Sequence, residues 1–312
     1  MMWSIIMIAL IVMVSWSSVC AMAITMNMLN NVGASQRERI RYVDYHSLLL
    51  GRIGRKDLQD KFGIAEAAAT RDFTLYNQLA PNNLVYLPSI RSYAITEQFI
   101  PVFDHPVHET LMALSNDFEK TSTFTNEEKF RLGSTPSIET ISALTRAIHL
   151  NRVIECTYTS TSSGKSAKVI APHSLFDTGL HWYFRGYDRN KTRFADFAVP
   201  RIIDIKVLTE QPRENEEKRL DPYFNKILSL KIAAHKNQAH PKTIEFDFGM
   251  ENGFLIKKIR ASFAGYFLRR WNVDCSPEGT LEGQEYQLRL INVDELKGAS
   301  SRMLAPGYEP KD

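Results

Sequence analysis

The segment His181-Trp182-Tyr183-Phe184-Arg185-Gly186-Tyr187-Asp188 decides the fold of this 312-residue chain. Successive side chains of a β-strand point to opposite faces. On a strand here, Trp182, Phe184 and Gly186 share one face, and His181, Tyr183, Arg185 and Tyr187 share the other. The first set suits a buried interior. The second is an aromatic, hydrogen-bonding and cationic row suited to an anionic ligand. Asn190-Lys191-Thr192 turns the chain back into Arg193-Phe194-Ala195-Asp196-Phe197, and Pro200-Arg201-Ile202 follows closely. Upstream, residues 153–158 and 167–171 alternate in the same way around a Ser/Thr/Gly turn at 159–165. Pro172-His173-Ser174-Leu175-Phe176 then leads through a second turn, Asp177-Thr178-Gly179. With 202–207 as the last strand, five short strands joined by tight turns predict a small open barrel of SH3 or Sm type over residues 151–209.

Toward the N-terminus the period becomes helical. Ser35-Gln36-Arg37-Glu38 reads as a helix entry with Ser35 at the cap. Ile40, Val43, Tyr45 and the leucines at 48–50 supply the buried side of a first helix, interrupted by Gly51 and Gly54. A short helix over 55–62 precedes a turn at Gly63-Ile64, and a third helix over about 65–79 buries Ala69, Phe73 and Tyr76. Two short strands at 84–87 and 92–96 flank Pro88-Ser89-Ile90-Arg91, a hairpin with a basic tip. Helix, short helix, turn, helix and hairpin is the order of a winged helix-turn-helix, placed at 35–100, and glycine at the bend permits a positive φ. Residues 101–150 read as a helical linker, with apolar positions at Leu111, Leu114, Phe118 and again at Ile141, Leu144, Ile148.

Beyond the barrel, a charged linker at 210–240 precedes a small α+β unit at 241–312. It is read as a strand at 243–248, a helix near 253–259, strands around 261–267 and 284–291, and a helix from Val293. The fold class is therefore α+β multidomain. Residues 1–34 form an apolar extension with no charged residue before Arg37. Three readings of it stay open: translation starting at Met26 or Met28, a membrane anchor that Arg37, Arg39 and Arg41 would hold from the cytoplasmic side, or a cleaved signal.

Composition narrows function by exclusion. With 44% apolar and 23% charged residues the chain is an ordinary globular one, and a net charge of +3 says little about a partner. Cys20, Cys156 and Cys275 are scattered and form no C-x-x-C pair, which fits a reducing, cytoplasmic setting. No G-x-S-x-G, P-loop, H-E-x-x-H or dinucleotide fingerprint is present. His105, His108, His173 and His181 lack metal-ligand spacing. No enzyme, cofactor or metal is expected.

Two groups of side chains remain as site candidates. In the winged helix, Ala67 and Ala68 permit close approach to a DNA groove, Thr70 and Arg71 reach phosphates or base edges, and Arg52, Arg55, Lys56 and Arg91 supply the sequence-independent attraction. In the barrel, Tyr158, Ser160, His173, Arg185, Tyr187, Arg193 and Arg201 offer hydroxyl, imidazole and guanidinium groups to an anionic, aromatic ligand. Each has a plainer alternative. His173 can serve a strand end, Arg185 and Arg201 can pair with Asp188 or Asp196, and Trp182 can be core.

Residues 57–72 together with Tyr158, the turn at 160–164, Pro172-His173-Ser174-Leu175, Trp182 to Asp188, and Phe194-Ala195-Asp196-Phe197 to Arg201-Ile202 carry a resemblance from Ser35 onward. The chain resembles the WYL-domain transcription regulators, and within them the BREX- and CBASS-associated type called BrxR or CapW. Its third signature position is Phe184 rather than Leu, a volume-tolerant apolar change. The resemblance implies a homodimer on an inverted-repeat operator beside phage-defence genes, usually as repressor. It also implies a nucleotide or nucleic-acid effector in the barrel and a tail that assists dimerisation. A non-transcriptional nucleic-acid-binding accessory protein and a membrane-tethered regulator are the competing readings.

Overall fold

The computed structural model describes residue 29 and residues 32–114 and 136–310. The readings of residues 1–28 and of Phe118 lie outside those residues. No helix among the described residues is long and apolar enough to cross a membrane. The chain divides into two compact units, one reaching Met112 and including Ser137–Leu150, the other continuing from Asn151.

In the first unit, α1 (Ala34–Leu50) buries Ile40, Val43 and Ser47, spaced three and four apart as a helix face requires. Its N-cap is Gly33 rather than Ser35, so the expected side-chain cap is not made. Gly51 ends the helix at φ 76° with its N–H on the Ser47 carbonyl. The following residues do more than interrupt: β1 (Arg52–Gly54) is a strand of the wing sheet. In α2 (Arg55–Phe62) the Asp57 carboxylate accepts the Gly54 amide at 2.6 Å, where the positive end of the helix dipole favours it. Gly63 closes α2 at φ 64°. Next, α3 (Glu66–Leu79) buries Ala69, Phe73 and Tyr76, and β2 (Leu84–Leu87) pairs with β3 (Ser92–Ile95) in a sheet of order β1-β3-β2.

Two buried carboxylates lock this unit. Asp72 on α3 accepts Arg39 at 2.6 Å and Gln36 at 2.9 Å, fastening α3 to α1. Asp44 on α1 accepts the Tyr76 hydroxyl at 2.5 Å, the amides of Val102 and Phe103, and lies 2.8 Å from His105 Nε2. The residues expected to begin a linker are thus tied into the winged-helix core. After α4 (Val107–Leu114), α5 (Ile138–His149) joins the same unit, burying Ile141, Leu144 and Ala147 and donating from Arg146 to the Leu48 carbonyl at the end of α1.

The second unit begins with a five-stranded antiparallel sheet. Its strands are β4 (Ile154–Ser160), β5 (Gly164–Asp177), β6 (Trp182–Asp188), β7 (Arg193–Ala198) and β8 (Ile202–Val207), in the order β7-β6-β5-β4-β8. A 3-10 turn at Val199–Arg201 carries the chain from β7 across to β8. Tyr158 on β4 accepts the Ala198 amide at the end of β7, joining the two sides of the sheet in the manner of a small barrel. Inside lie Ile154, Ile170, Trp182, Phe184 and Phe197, with Phe184 and Phe197 stacked at 5.1 Å. The only buried ion pair on this face among the described residues joins Lys168 to Asp188 at 2.9 Å. The two expected strands at 167–171 and 172–176 are one, β5, bent by a register shift between Pro172 and Ser174.

A charged stretch then leads through α6 (Pro222–Asn225) into the C-terminal sheet, of order β10-β9-β12-β11. The strand β9 (Ile227–Ala234) falls inside the stretch read as a linker, yet it pairs with β10 (Phe254–Arg260) over seven residues and with β12 (Leu288–Leu290). Its alternating Leu228, Leu230 and Ile232 supply core. Three further elements exchange type. Residues 243–248 belong to α7 (Pro241–Asp247), where Pro241 sits in the first turn and its missing N–H is harmless. Residues 253–259 form β10 because β9 offers them a complete ladder. Residues 261–267 enter α8 (Ala264–Arg270), whose small residues let it lie directly on the chain at Ser301. The short β11 (Val273–Asp274) pairs parallel to β12, and the helix expected from Val293 is a 3-10 turn, Val293–Gly298.

Candidate effector site and nucleic-acid interface

On β6 the two faces divide as alternation requires: Trp182, Phe184, Gly186 and Asp188 are buried inward, whereas Tyr183 and Tyr187 stay partly accessible on the other side. Arg185 belongs to that second side but is only 1% exposed. Its Nε and Nη2 grip both oxygens of Asp221, at 2.5 and 3.0 Å, and its Nη1 reaches Asp196 at 2.8 Å. Asp221 also caps α6 by accepting the Tyr223 and Phe224 amides, and His173 Nε2 lies 3.1 Å from it. His173 sits at the register shift in β5. Tyr266 on α8 completes the group, its hydroxyl 3.4 Å from the second oxygen of Asp196.

The two carboxyls are pushed apart electrostatically. Burial is the largest influence on each and acts upward. At Asp221 the hydrogen bonds from His173 and Arg185 outweigh burial and hold it well below the usual carboxylate range. At Asp196 burial prevails over the Arg185 charge, and the carboxyl sits above its ordinary value. Burial beside Asp196 raises the Tyr266 phenol, which therefore keeps its proton and donates.

Against this network opens a cavity of about 690 Å³, lined by Arg185, Tyr187, Arg193, Phe194 and Asp196 from the five-stranded sheet and by Tyr223, Tyr266 and Arg302 from the segments after it. Three of the seven barrel candidates meet here: Arg185, Tyr187 and Arg193. The other four lie elsewhere. Tyr158 is buried, edge-on to Phe197, with its hydroxyl spent on Ala198. Ser160 pairs with Gly164 at the hairpin tip and bonds Ser162. His173 is held between Ser174 and Asp221. Arg201 is half-buried on the 3-10 turn; its charge opposes the upward push of burial on the Tyr183 phenol. The plainer reading of Arg185, pairing with Asp196, holds, joined by an Asp221 that sequence spacing gave no reason to single out. Tyr223, Tyr266 and Arg302 were also missed, since they lie 35 or more positions from β6 in the chain.

In the winged helix, Ala67, Thr70, Arg71 and Thr74 are exposed along α3, while Ala68 is half-buried. Thr70 spends its hydroxyl proton on the Glu66 carbonyl one turn earlier. Arg55 sits where α2, α3 and the wing meet: its Nε is 3.7 Å from Glu66, its guanidinium 5.4 Å from the Tyr86 ring. Arg91 crowns the wing at φ 51°, its carbonyl close to Gly54, and Lys56 is exposed beside Arg55. Arg52 stands apart from that group, donating to His149 Nε2 at 3.2 Å at the end of α5. Burial, then the Arg52 charge, lowers the His149 pKa and keeps that imidazole a neutral acceptor. Tyr86, exposed beside Arg55, was not anticipated.

A winged helix followed by a small barrel and an α+β tail defines a multidomain nucleic-acid-binding regulator, with no constellation suited to catalysis among the described residues. Three family models match in this order: the BrxR transcriptional regulator winged helix-turn-helix domain over 35–116, the WYL domain over 139–207, and the BrxR transcriptional regulator C-terminal dimerization domain over 227–296. The chain is thus a WYL-domain transcriptional regulator, most like the BrxR/CapW type, and not an enzyme. It is 28% identical over 275 residues to the DNA-binding transcriptional repressor CapW of Pseudomonas aeruginosa, covering 84% of this chain and 91% of that one. The namesakes from Escherichia coli (strain KTE188) and Stenotrophomonas maltophilia are 27% and 25% identical, each over 84% of this chain and 90% and 91% of theirs.

Proposed function

We propose that the chain is a dimeric, ligand-responsive repressor that binds an inverted-repeat operator, controls phage-defence genes from the cytoplasm, and senses a nucleotide or oligonucleotide in the cavity beside β6. The observation that carries the DNA reading is the exposed row Ala67, Thr70, Arg71 and Thr74 on α3, flanked by Arg55, Lys56 and the wing residue Arg91. A surface of small and hydroxyl side chains edged by cations suits a major groove between two phosphate strands. The relatives named as DNA-binding transcriptional repressors support the same reading. In a two-fold dimer the two α3 helices would address half-sites one DNA turn apart, or a multiple of it. Effector binding shifts occupancy only by favouring one dimer geometry over the other.

The test is binding of the purified protein to the DNA upstream of its own gene. Arg71→Ala should lose that binding while the oligomeric state by light scattering stays unchanged. Undiminished operator binding by the variant would overturn the assignment of α3 as the reading helix.

A further inference from the structure

We infer that the effector cavity is a phosphate clamp shared by two domains, with Arg193 and Arg302 as the anion-binding pair; this rests on the effector reading above. The charge arrangement leads there. Arg185 is the obvious cation of the cavity, but its Nε, Nη1 and Nη2 are already committed to Asp221 and Asp196. A phosphate reaching it would have to displace a buried carboxylate. Arg193, at the start of β7, is exposed and meets no carboxylate among the described residues. Arg302 touches only the carbonyls of Lys297 and Ala299, at 3.4 and 3.3 Å, and it too meets no carboxylate there. Both line the same cavity. Two guanidinium groups that pair with no carboxylate among the described residues meet on one cavity and match the oxygens of a phosphoryl group, which Arg binds in pairs of hydrogen bonds.

The rest of the lining fixes the ligand class. Tyr187 and Phe194 meet edge to face at 5.1 Å, and Tyr223 is partly exposed on the same cavity, offering ring faces to a base. A volume of about 690 Å³ lies inside the range of roughly 300–1,000 Å³ typical of small-ligand sites, which suits one or two nucleotides. Because Arg193 comes from the WYL sheet and Arg302 from the segment just after the stretch matched to a dimerization domain, a bound phosphate links the sensor to the C-terminal part of the chain. Arg302 is then a specificity-determining residue supplied from outside the WYL fold.

Calorimetric titration of the full chain with the 5′-phosphorylated dinucleotide pTpT and its unphosphorylated counterpart TpT tests this. Arg193→Gln and Arg302→Gln should each weaken pTpT by about tenfold or more, the worth of a charged hydrogen bond. Each should also erase most of the preference for pTpT over TpT, and Arg302→Lys should restore part of it. Tyr187→Ala should weaken both probes alike. If Arg302→Gln binds pTpT like the wild type while Tyr187→Ala loses it, the clamp is wrong and the cavity reading stands. If Arg302→Gln weakens pTpT and TpT equally, its role is structural and the clamp again falls. If the wild type binds neither probe, cavity and clamp fall together. Should Arg302→Gln melt early, Arg193→Gln carries the test, since Arg193 is exposed and makes no side-chain hydrogen bond or ion pair among the described residues.

Discussion

At the scale of single residues, the group around Arg185 explains why an arginine is buried in a strand that otherwise reads as amphipathic. A guanidinium out of water is tolerable when its donors are filled, and here two carboxylates fill them. Removing it strands both. Arg185→Ala should therefore cost about 3–5 kcal/mol in urea unfolding, the range for breaking a buried pair by deleting one partner; an unchanged midpoint would mean that the pair is open to solvent. The same network sets an acid limb. Asp221 has its pKa lowered by folding, so below the ordinary value of 3.8 the unfolded chain takes up the proton first. The stability it contributes is complete above that pH and is lost as pH falls toward the folded-state value. Asp196 is raised, so its contribution has the opposite sign: present at low pH and lost as pH rises through its folded value. Asp221→Asn should flatten the decline of the unfolding midpoint below pH 4, and Asp196→Asn should remove a gain in stability that falling pH brings above pH 4. Identical acid limbs in both variants and the wild type would refute this division of roles.

At the scale of elements, two glycines that look alike in sequence do different work. Gly63 ends α2 in the left-handed region with no atom within 4 Å of a would-be Cβ. Gly63→Ala should cost about 1–2 kcal/mol, from the backbone conformation alone. Gly186 faces the bend in β5, where a Cβ would come within 2.6 Å of the Ala171 carbonyl and 2.8 Å of Pro172 Cα. Backbone cannot step aside as a side chain can, so Gly186→Ala should destabilise more than Gly63→Ala in the same denaturation assay. The reverse order would show that the bend relaxes. Elements with strong local signals were legible in the sequence: the helix periodicity of 40–79, the glycine at the α2–α3 turn, and the alternation of β6. Those decided by tertiary partners were not. Residues 243–248 alternate like a strand yet turn as α7, while β10 is a strand because β9 offers it a seven-residue ladder. The site divides in the same way. Tyr187 and Arg193 follow from the pattern of β6 and its return strand, whereas Tyr223, Tyr266 and Arg302 reach the cavity only through the packing of the segments after the five-stranded sheet.

At the scale of the whole molecule, the charges on the winged helix separate into two populations, and DNA binding offers a way to read them. Lys56 and Arg91 are exposed and form no ion pair among the described residues. Arg52 is bonded to a neutral His149 at the end of α5, away from the cluster where α2, α3 and the wing meet. Each cation that neutralises a phosphate contributes about 0.9 to the slope of log K against log salt concentration, because it releases condensed counterions. A two-fold dimer presents every contact twice. Lys56→Ala and Arg91→Ala should therefore each lower the magnitude of that slope by about 2, weakening operator and unrelated DNA to similar extents, as contacts to the backbone do. Arg71→Ala should instead act mainly on the difference between operator and unrelated DNA. Arg52→Ala should leave the slope within about 1 of the wild type, since its guanidinium is engaged outside that cluster. The measurement is operator binding by fluorescence anisotropy from 50 to about 200 mM salt, the interval over which such contacts are strongly expressed. A slope as sensitive to Arg52 as to Lys56 would move the phosphate footprint toward the α5 side and displace the wing from its centre.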